Sequence, residues 1–173
     1  MPPHELHLHG LLNFIIEDSI LVTRKLGESF FSQSLNILRV SGCEEFPLPL
    51  FLICPGLREV VLDRVGTTDK MYDKYPDNYC SGREAPLLKV LEYSKSHSLV
   101  EQMIAPPPRF NTPVVLWSNL RVLTVAPHDK KGMVCLQLIL DAACNTLEEL
   151  YLTRKTTSRG QSRCRVSDNT KRI

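Results

Sequence analysis

Large apolar residues recur along this chain in one spacing, big-x-x-big-x-big. The copies are Leu35/Leu38/Val40, Leu57/Val60/Leu62, Leu88/Leu91/Tyr93, Leu120/Leu123/Val125 and Leu147/Leu150/Leu152, with Pro3/Leu6/Leu8 as an opening sixth. The middle residues Leu6, Leu38, Val60, Leu91, Leu123 and Leu150 lie 32, 22, 31, 32 and 27 residues apart. The big-x-big ending has the period of a short strand with one buried face, so the residues between must point the other way. A recurrence every roughly 20–50 residues marks stacked repeats. A single unit cannot cover its own apolar face and needs a neighbour on each side.

Between the triplets the pattern turns helical or irregular. Phe46-Pro-Leu-Pro-Leu-Phe-Leu-Ile-Cys54 is apolar, with prolines that suit the first turn of a short helix. Met133 to Cys144 predicts the clearest helix, with Leu136, Ile139, Leu140 and Ala143 on one apolar face and Val134, Leu138, Asp141 and Asn145 on another stripe. Residues 98–104 form a weaker candidate, with Ser98 as N-cap. Residues 11–17 and 20–26 fit either strand or helix. Two inserted loops are expected, 66–86 and 105–117, the second stiffened by Pro106-Pro-Pro108. The expected organisation is one irregular repeat domain over residues 1–155, about five to six repeats long, and a disordered tail over 156–173 that almost lacks large apolar residues.

At 173 residues, with 43% hydrophobic and 23% charged residues, the composition is that of an ordinary globular domain. The net charge of +2 hides a division. From Thr153 on there are seven basic residues against Asp168, a local +6, which leaves 14 basic and 18 acidic residues in the rest of the chain, or −4. No apolar run approaches the ~18–20 residues of a membrane span. The stretch Leu11 to Ile16 is short, runs into Glu17-Asp18 and lacks a basic flank, so it does not read as a signal peptide. An intracellular location, cytoplasmic or nuclear, is expected. The six cysteines contain no C-x-x-C pair. Cys54 and Cys144 each stand three residues before a triplet and are expected to be small buried hydrophobes where a helix gives way to a strand.

Leu-x-x-Leu-x-Leu with a preceding Cys-x-x resembles the leucine-rich repeat in its irregular, cysteine-containing form. Cys54-Pro-Gly-Leu57, Ala85-Pro-Leu-Leu88-Lys-Val-Leu and Leu136-Gln-Leu-Ile-Leu-x4-Asn145-Thr-Leu-Glu-Glu-Leu are similar to the leucine-rich region of fungal F-box-type proteins. The resemblance covers roughly residues 1–155 and implies an α/β leucine-rich-repeat solenoid, with short parallel strands on the concave face and helices or irregular turns on the convex face. It also implies substrate recognition for a ubiquitin ligase, through an F-box that docks on a Skp-type adaptor. No F-box is found in this chain. The asparagine common in regular repeats three residues after the third leucine is replaced by Cys43, Val65, Ser96, His128 and Lys155, so no unbroken asparagine ladder is expected.

If the triplets form a parallel ladder, the outward residues make two rows. One reads Glu5, Ile37, Glu59, Val90, Val122, Glu149; the next reads His7, Arg39, Val61, Glu92, Thr124, Tyr151. A merely solvated sheet face would be more uniformly polar, whereas apolar patches rimmed by charge suit recognition. The expected protein-binding set is therefore Ile37, Arg39, Glu59, Val61, Val90, Glu92, Val122, Thr124, Glu149 and Tyr151, with Arg39 and Tyr151 as residue types favoured as anchors. The partner is a protein of unspecified identity, and no cofactor is expected. His7 and His9 alternate with leucine as in a half-buried strand, and beside them and His4 no further ligand is spaced to make a metal site. No nucleophile elbow, phosphate loop, dinucleotide fingerprint or H-E-x-x-H helix occurs, so no enzyme is expected. The basic tail supplies an alternative reading, association with nucleic acid by charge, although no aromatic residues interleave its arginines. A further alternative is a fragment without independent function, since an array lacking terminal caps is marginal.

Overall fold

Each triplet sits where a short strand can bury its two spaced apolar residues, and the chain uses them that way. The computed structural model describes residues 5–9, 34–67, 82–108, 110, 113–127, 129–153 and 163–166. In chain order these form β1 (Glu5–His9), β2 (Ile37–Cys43), α1 (Pro49–Leu52), β3 (Glu59–Val65), β4 (Val90–Ser94), α2 (His97–Ile104), β5 (Val122–Ala126), α3 (Lys130–Ala142), β6 (Glu149–Thr153) and β7 (Arg163–Val166). All seven strands form one sheet, ordered as they occur in the chain. Strands β1 to β6 run parallel, and β7 returns antiparallel along β6. Parallel neighbours need long crossovers, and a repeat spacing of 22–32 residues provides them. The result is an α/β fold, a parallel sheet alternating with helices.

One face of the sheet makes the core. Leu38, Val40, Val60, Leu62, Leu91, Tyr93, Leu123 and Val125 are buried against Leu50–Leu52 of α1, Leu99, Val100 and Met103 of α2, and Cys135, Leu136 and Ile139 of α3. Burying one such side chain stabilises the fold by about 1.5–3 kcal/mol. Leu147, Leu150 and Leu152 of the last triplet are only partly covered. Pro49 opens the first turn of α1, where a missing N–H costs nothing, and Pro47 stands just before the N-cap Leu48.

Strand starts are fixed by a contact repeated four times. The carbonyl of the residue after the first leucine accepts two N–H groups from the equivalent residue and its successor in the next repeat. Asn36 accepts from Arg58 and Glu59 at 2.8 and 2.9 Å, and Arg58 from Lys89 and Val90 at 2.8 and 3.0 Å. Lys89 accepts from Arg121 and Val122 at 2.9 and 3.1 Å, and Arg121 from Glu148 and Glu149 at 2.8 and 2.9 Å.

Strand ends share a second device. Two residues after the third apolar residue, the backbone turns left-handed at Gly42 (φ 63°), Arg64 (φ 56°) and Lys95 (φ 53°). Only Gly42 adopts this without steric cost. In the next repeat Pro127 holds the position, and its ring forbids positive φ. Beyond β3, Gly66 donates its N–H to the Cys43 carbonyl at 2.8 Å and lies so close to Glu44 that a Cβ would sit 2.8 Å from that carbonyl oxygen.

Several expectations need correction. The helix expected from Met133 begins at Lys130, because Asp129 caps it by accepting from the Gly132 N–H at 2.8 Å; Lys-Lys-Gly carries no apolar period to reveal that turn. Ser98 is not an N-cap but lies inside α2, and the cap position belongs to Ser96. Cys54 is buried, but Cys144 is exposed, and Ala143 takes the covered place beside it. The 105–117 segment is no mere surface loop: Phe110, Val114 and Val115 are buried in the core, and Pro107 accepts from Phe110 N–H at 2.9 Å to close a turn. Four residues of the tail expected to be disordered form β7, while residues 156–162 and 167–173 lie outside the described residues. So do His4, residues 11–17 and 20–26, and most of the 66–86 loop. No helix among the described residues is long and apolar enough to cross a membrane.

Candidate protein-binding face of the sheet

Alternation along the strands puts on the face opposite the core the residues between the buried leucines. Register then aligns them across the sheet. Glu5, Ile37, Glu59, Val90, Val122 and Glu149 are successive partners in one row, and His7, Arg39, Val61, Glu92, Thr124 and Tyr151 in the next. The two rows match those written from sequence. A third row, His9, Ser41, Asp63, Ser94 and Ala126, was not foreseen, because the strands extend past the triplets that mark them. At about 4.8 Å per strand, a six-strand row is roughly 24 Å long.

Ile37, Arg39, Glu59, Val61, Val90, Val122, Thr124, Glu149 and Tyr151 are half-buried, while Glu5 and Glu92 are exposed. Arg39 sits between two carboxylates on neighbouring strands. Its Nε donates to Glu5 Oε1 and its Nη2 to Glu59 Oε1, both at 2.7 Å. The bond to Glu5, aided by the charge of Glu59 and opposed by partial burial, pushes the guanidinium pKa up, so Arg39 stays charged. With both partners partly in water the bridge adds little stability, but it fixes the guanidinium in place. At the other end of the face, the Tyr151 hydroxyl donates to Glu149 Oε2.

Strands β1–β6 place Glu5, Glu59, Asp63, Glu92 and Glu149 on these rows together with Arg39, and β7 continues them with Arg165 opposite Tyr151 and Arg163 opposite Thr153. Of the bases next to the first row, Arg58 donates to the Pro55 and Leu57 carbonyls and Arg121 to Glu148 at 3.0 Å, while Lys89 is exposed. Arg64, at the rim, pairs with Asp63 at 3.1 Å. Amid the carboxylates lies an aliphatic centre, Val90 and Val122 as direct partners with Val61 on the adjoining strand.

Behind the sheet lies a cluster that sequence reasoning did not single out. The His97 ring meets Tyr93 edge-on at 6.0 Å, approaches Asp129 Oδ1 at 3.6 Å through Nε2, and lies against Gly132. Cys135 Sγ lies 3.6 Å from the His97 carbonyl, as its donor. Burial pushes the Tyr93 hydroxyl and the Cys135 thiol up in pKa, so both stay protonated near neutrality. The thiol is directed at a carbonyl rather than at the imidazole, which is not a nucleophile–base pair. Among the described residues no group of three or more His, Cys, Asp and Glu is arranged to hold a metal ion.

Compared with protein-family models, with curated proteins and with solved structures, the chain matches none of them.

Proposed function

We propose that this chain is a protein-recognition module of the leucine-rich-repeat type. In this reading the array is a solenoid, with the parallel strands on its concave face and the helices and turns on its convex face. Two regularities support the repeat reading: a triplet at every strand from β2 to β6, and one carbonyl accepting two N–H groups at each of four successive junctions. The observation that carries the function is the face itself, where valines and carboxylates stand in cross-strand register on the side away from the core. A groove of reacting groups is not needed for such work; a broad, rigid surface is.

The resemblance to fungal F-box-type proteins extends the proposal to the kind of task, presentation of a target to a ubiquitin ligase through a Skp-type adaptor. The test is affinity purification of the chain from a cell lysate with mass spectrometry, in parallel with a Val61→Asp/Val122→Asp double variant. A discrete set of proteins lost from the variant, with the same circular dichroism and melting profile for both chains, is the expected result. A Skp-type adaptor and cullin among them supports the ligase role. An unfolded double variant, or an unchanged set of captured proteins, overturns the assignment of this face.

A further inference from the structure

We infer that a second copy of this chain docks on the outer edge of β1, the two β1 strands pairing antiparallel about a twofold axis at His7. The sheet ends on one side at β7, which runs against the ladder, and on the other at β1, whose one strand neighbour among the described residues is β2. The rest of the ladder fixes the direction of the peptide groups at that edge. Glu59, Val90, Val122 and Glu149, all on an outward row, donate their N–H groups to the preceding repeat. In a parallel ladder the peptide groups of successive residues turn to opposite neighbours. His7 and His9 hold outward positions in β1, so their peptide groups are directed to the outer edge, where a further strand pairs.

The sequence of β1 selects the occupant. Glu5-Leu-His-Leu-His9 reads nearly the same in both directions. In antiparallel pairing centred on His7, that residue meets its own copy. Leu6 meets Leu8 of the second copy on both sides of the axis, and Glu5 meets His9. Leucine opposite leucine and carboxylate opposite imidazole are both favourable cross-strand pairs. Glu5 keeps the bond it accepts from Arg39, since a carboxylate accepts from several donors at once. The other registers fail. Centring on Leu6 or Leu8 calls on peptide groups that already serve β2, and centring on Glu5 sets carboxylate against carboxylate.

On the opposite face the pairing joins two cores. Leu6 and Leu8 are in register with the buried Leu38 and Val40, so the leucine pairs of the dimer continue the apolar layer from one chain into the next. Residues directly opposite in antiparallel strands share a face, which puts both outward faces on the same side of one continuous sheet. For a target with two matching segments, the dimer offers two copies of the face at once. The five-residue edge is smaller than the roughly 800 Å² per partner of a stable complex, so the dimer is reversible, with Kd of about 10–100 µM. A twofold closes on itself and leaves β7 at both outer ends, so assembly stops at two copies.

The experiment is sedimentation equilibrium of the full chain from about 1 to about 300 µM, with amide exchange measured at both ends of that range. The mass should rise from 19.7 kDa toward twice that value, and exchange at His7 and His9 should slow by about threefold or more at the higher concentration. His7→Pro removes the N–H at the axis, a change tolerated where that group faces away from the sheet. The variant should keep its circular dichroism and melting profile and stay monomeric. His9→Glu sets carboxylate against carboxylate and should weaken the dimer by about threefold or more. A chain that is monomeric throughout, a mass that climbs past the dimer, or dimerisation undiminished in His7→Pro overturns the inference. An unaffected His9→Glu overturns the register. Unchanged exchange at His7 and His9 overturns the pairing whether or not His7→Pro folds.

Discussion

Replacing Ser96 by alanine should loosen the junction between the third and fourth strands far more than a surface serine would. Ser96 is fully buried, and its Oγ accepts from the Val65 N–H and donates to the Ser94 carbonyl, both at 2.9 Å. The hydroxyl thus joins the end of β3 to the end of β4. In Ser96→Ala a net bond worth about 1 kcal/mol disappears. The Val65 N–H then stays buried beside a methyl group, at a further cost of about 1–2 kcal/mol for an unmet donor. A loss of about 2–3 kcal/mol is expected, which for a chain of this size lowers Tm by roughly 5–10 °C. Urea unfolding followed by circular dichroism measures the first quantity, and amide exchange at Val65 localises it. Ser98→Ala provides the control, since that exposed residue lies inside α2 and should change stability by less than about 0.5 kcal/mol. Equal effects of the two substitutions, or an unaltered exchange rate at Val65, would refute the reasoning.

Arg64→Gly and Lys95→Gly should each stabilise by about 0.5–1 kcal/mol, because both side chains sit on left-handed backbone; Gly42→Ala should cost about 1 kcal/mol although its Cβ would meet nothing within 4 Å, and differential scanning calorimetry reads all three. Tyr93→Phe should be neutral or stabilising by up to about 1 kcal/mol in the same assay, since the Tyr93 hydroxyl is buried without a hydrogen-bond partner among the described residues. Burial pushes the Cys54 thiol up to about 12, above its unfolded value near 9. The unfolded chain therefore binds fewer protons than the folded one above about pH 9, and stability should fall as pH rises from there toward 12; a smaller fall in Cys54→Ala, followed by urea midpoints, checks the sign. With Cys80 and Cys164 replaced by serine, a maleimide at pH 8 should label Cys144 at once and Cys43, Cys54 and Cys135 only on unfolding, as mass spectrometry would show.

The spacing of leucines carried the most information. Because period 2 ties every residue of a strand to one side or the other, finding Leu38 and Val40 on the inside also put Ile37 and Arg39 on the outside, and register aligned them with Glu59 and Val61. What could not be read was set by contacts distant in sequence. Ser96 and Ser98 are equally good caps as letters, and only the Val65 N–H, 31 residues away, distinguishes them. Cys144 and Cys54 share a motif position, yet Cys54 is buried and Cys144 is exposed, with Ala143 in the covered place beside it. The left-handed turns at Arg64 and Lys95 had a single sequence cue, Gly42 at the equivalent place, and two long charged residues obscured it. Phe110, Val114 and Val115 have no period of their own, so a segment that fills the core resembled a solvent loop. The face was legible as a set of residues; the seat of Arg39 between Glu5 and Glu59 was not, because it depends on strands 20 and 34 residues apart in the chain.

A stack of parallel strands has an intrinsic difficulty, because each end is a template for the next copy of the same stack. Identical chains could in principle add end to end without limit, as fibres do. Here the far edge is not β6 but β7, four residues that run the opposite way and bring Arg163 and Arg165 to the border. Brevity and reversed direction both make that border a poor seed for further strands, because a copy arriving there meets four residues running against the parallel ladder rather than with it.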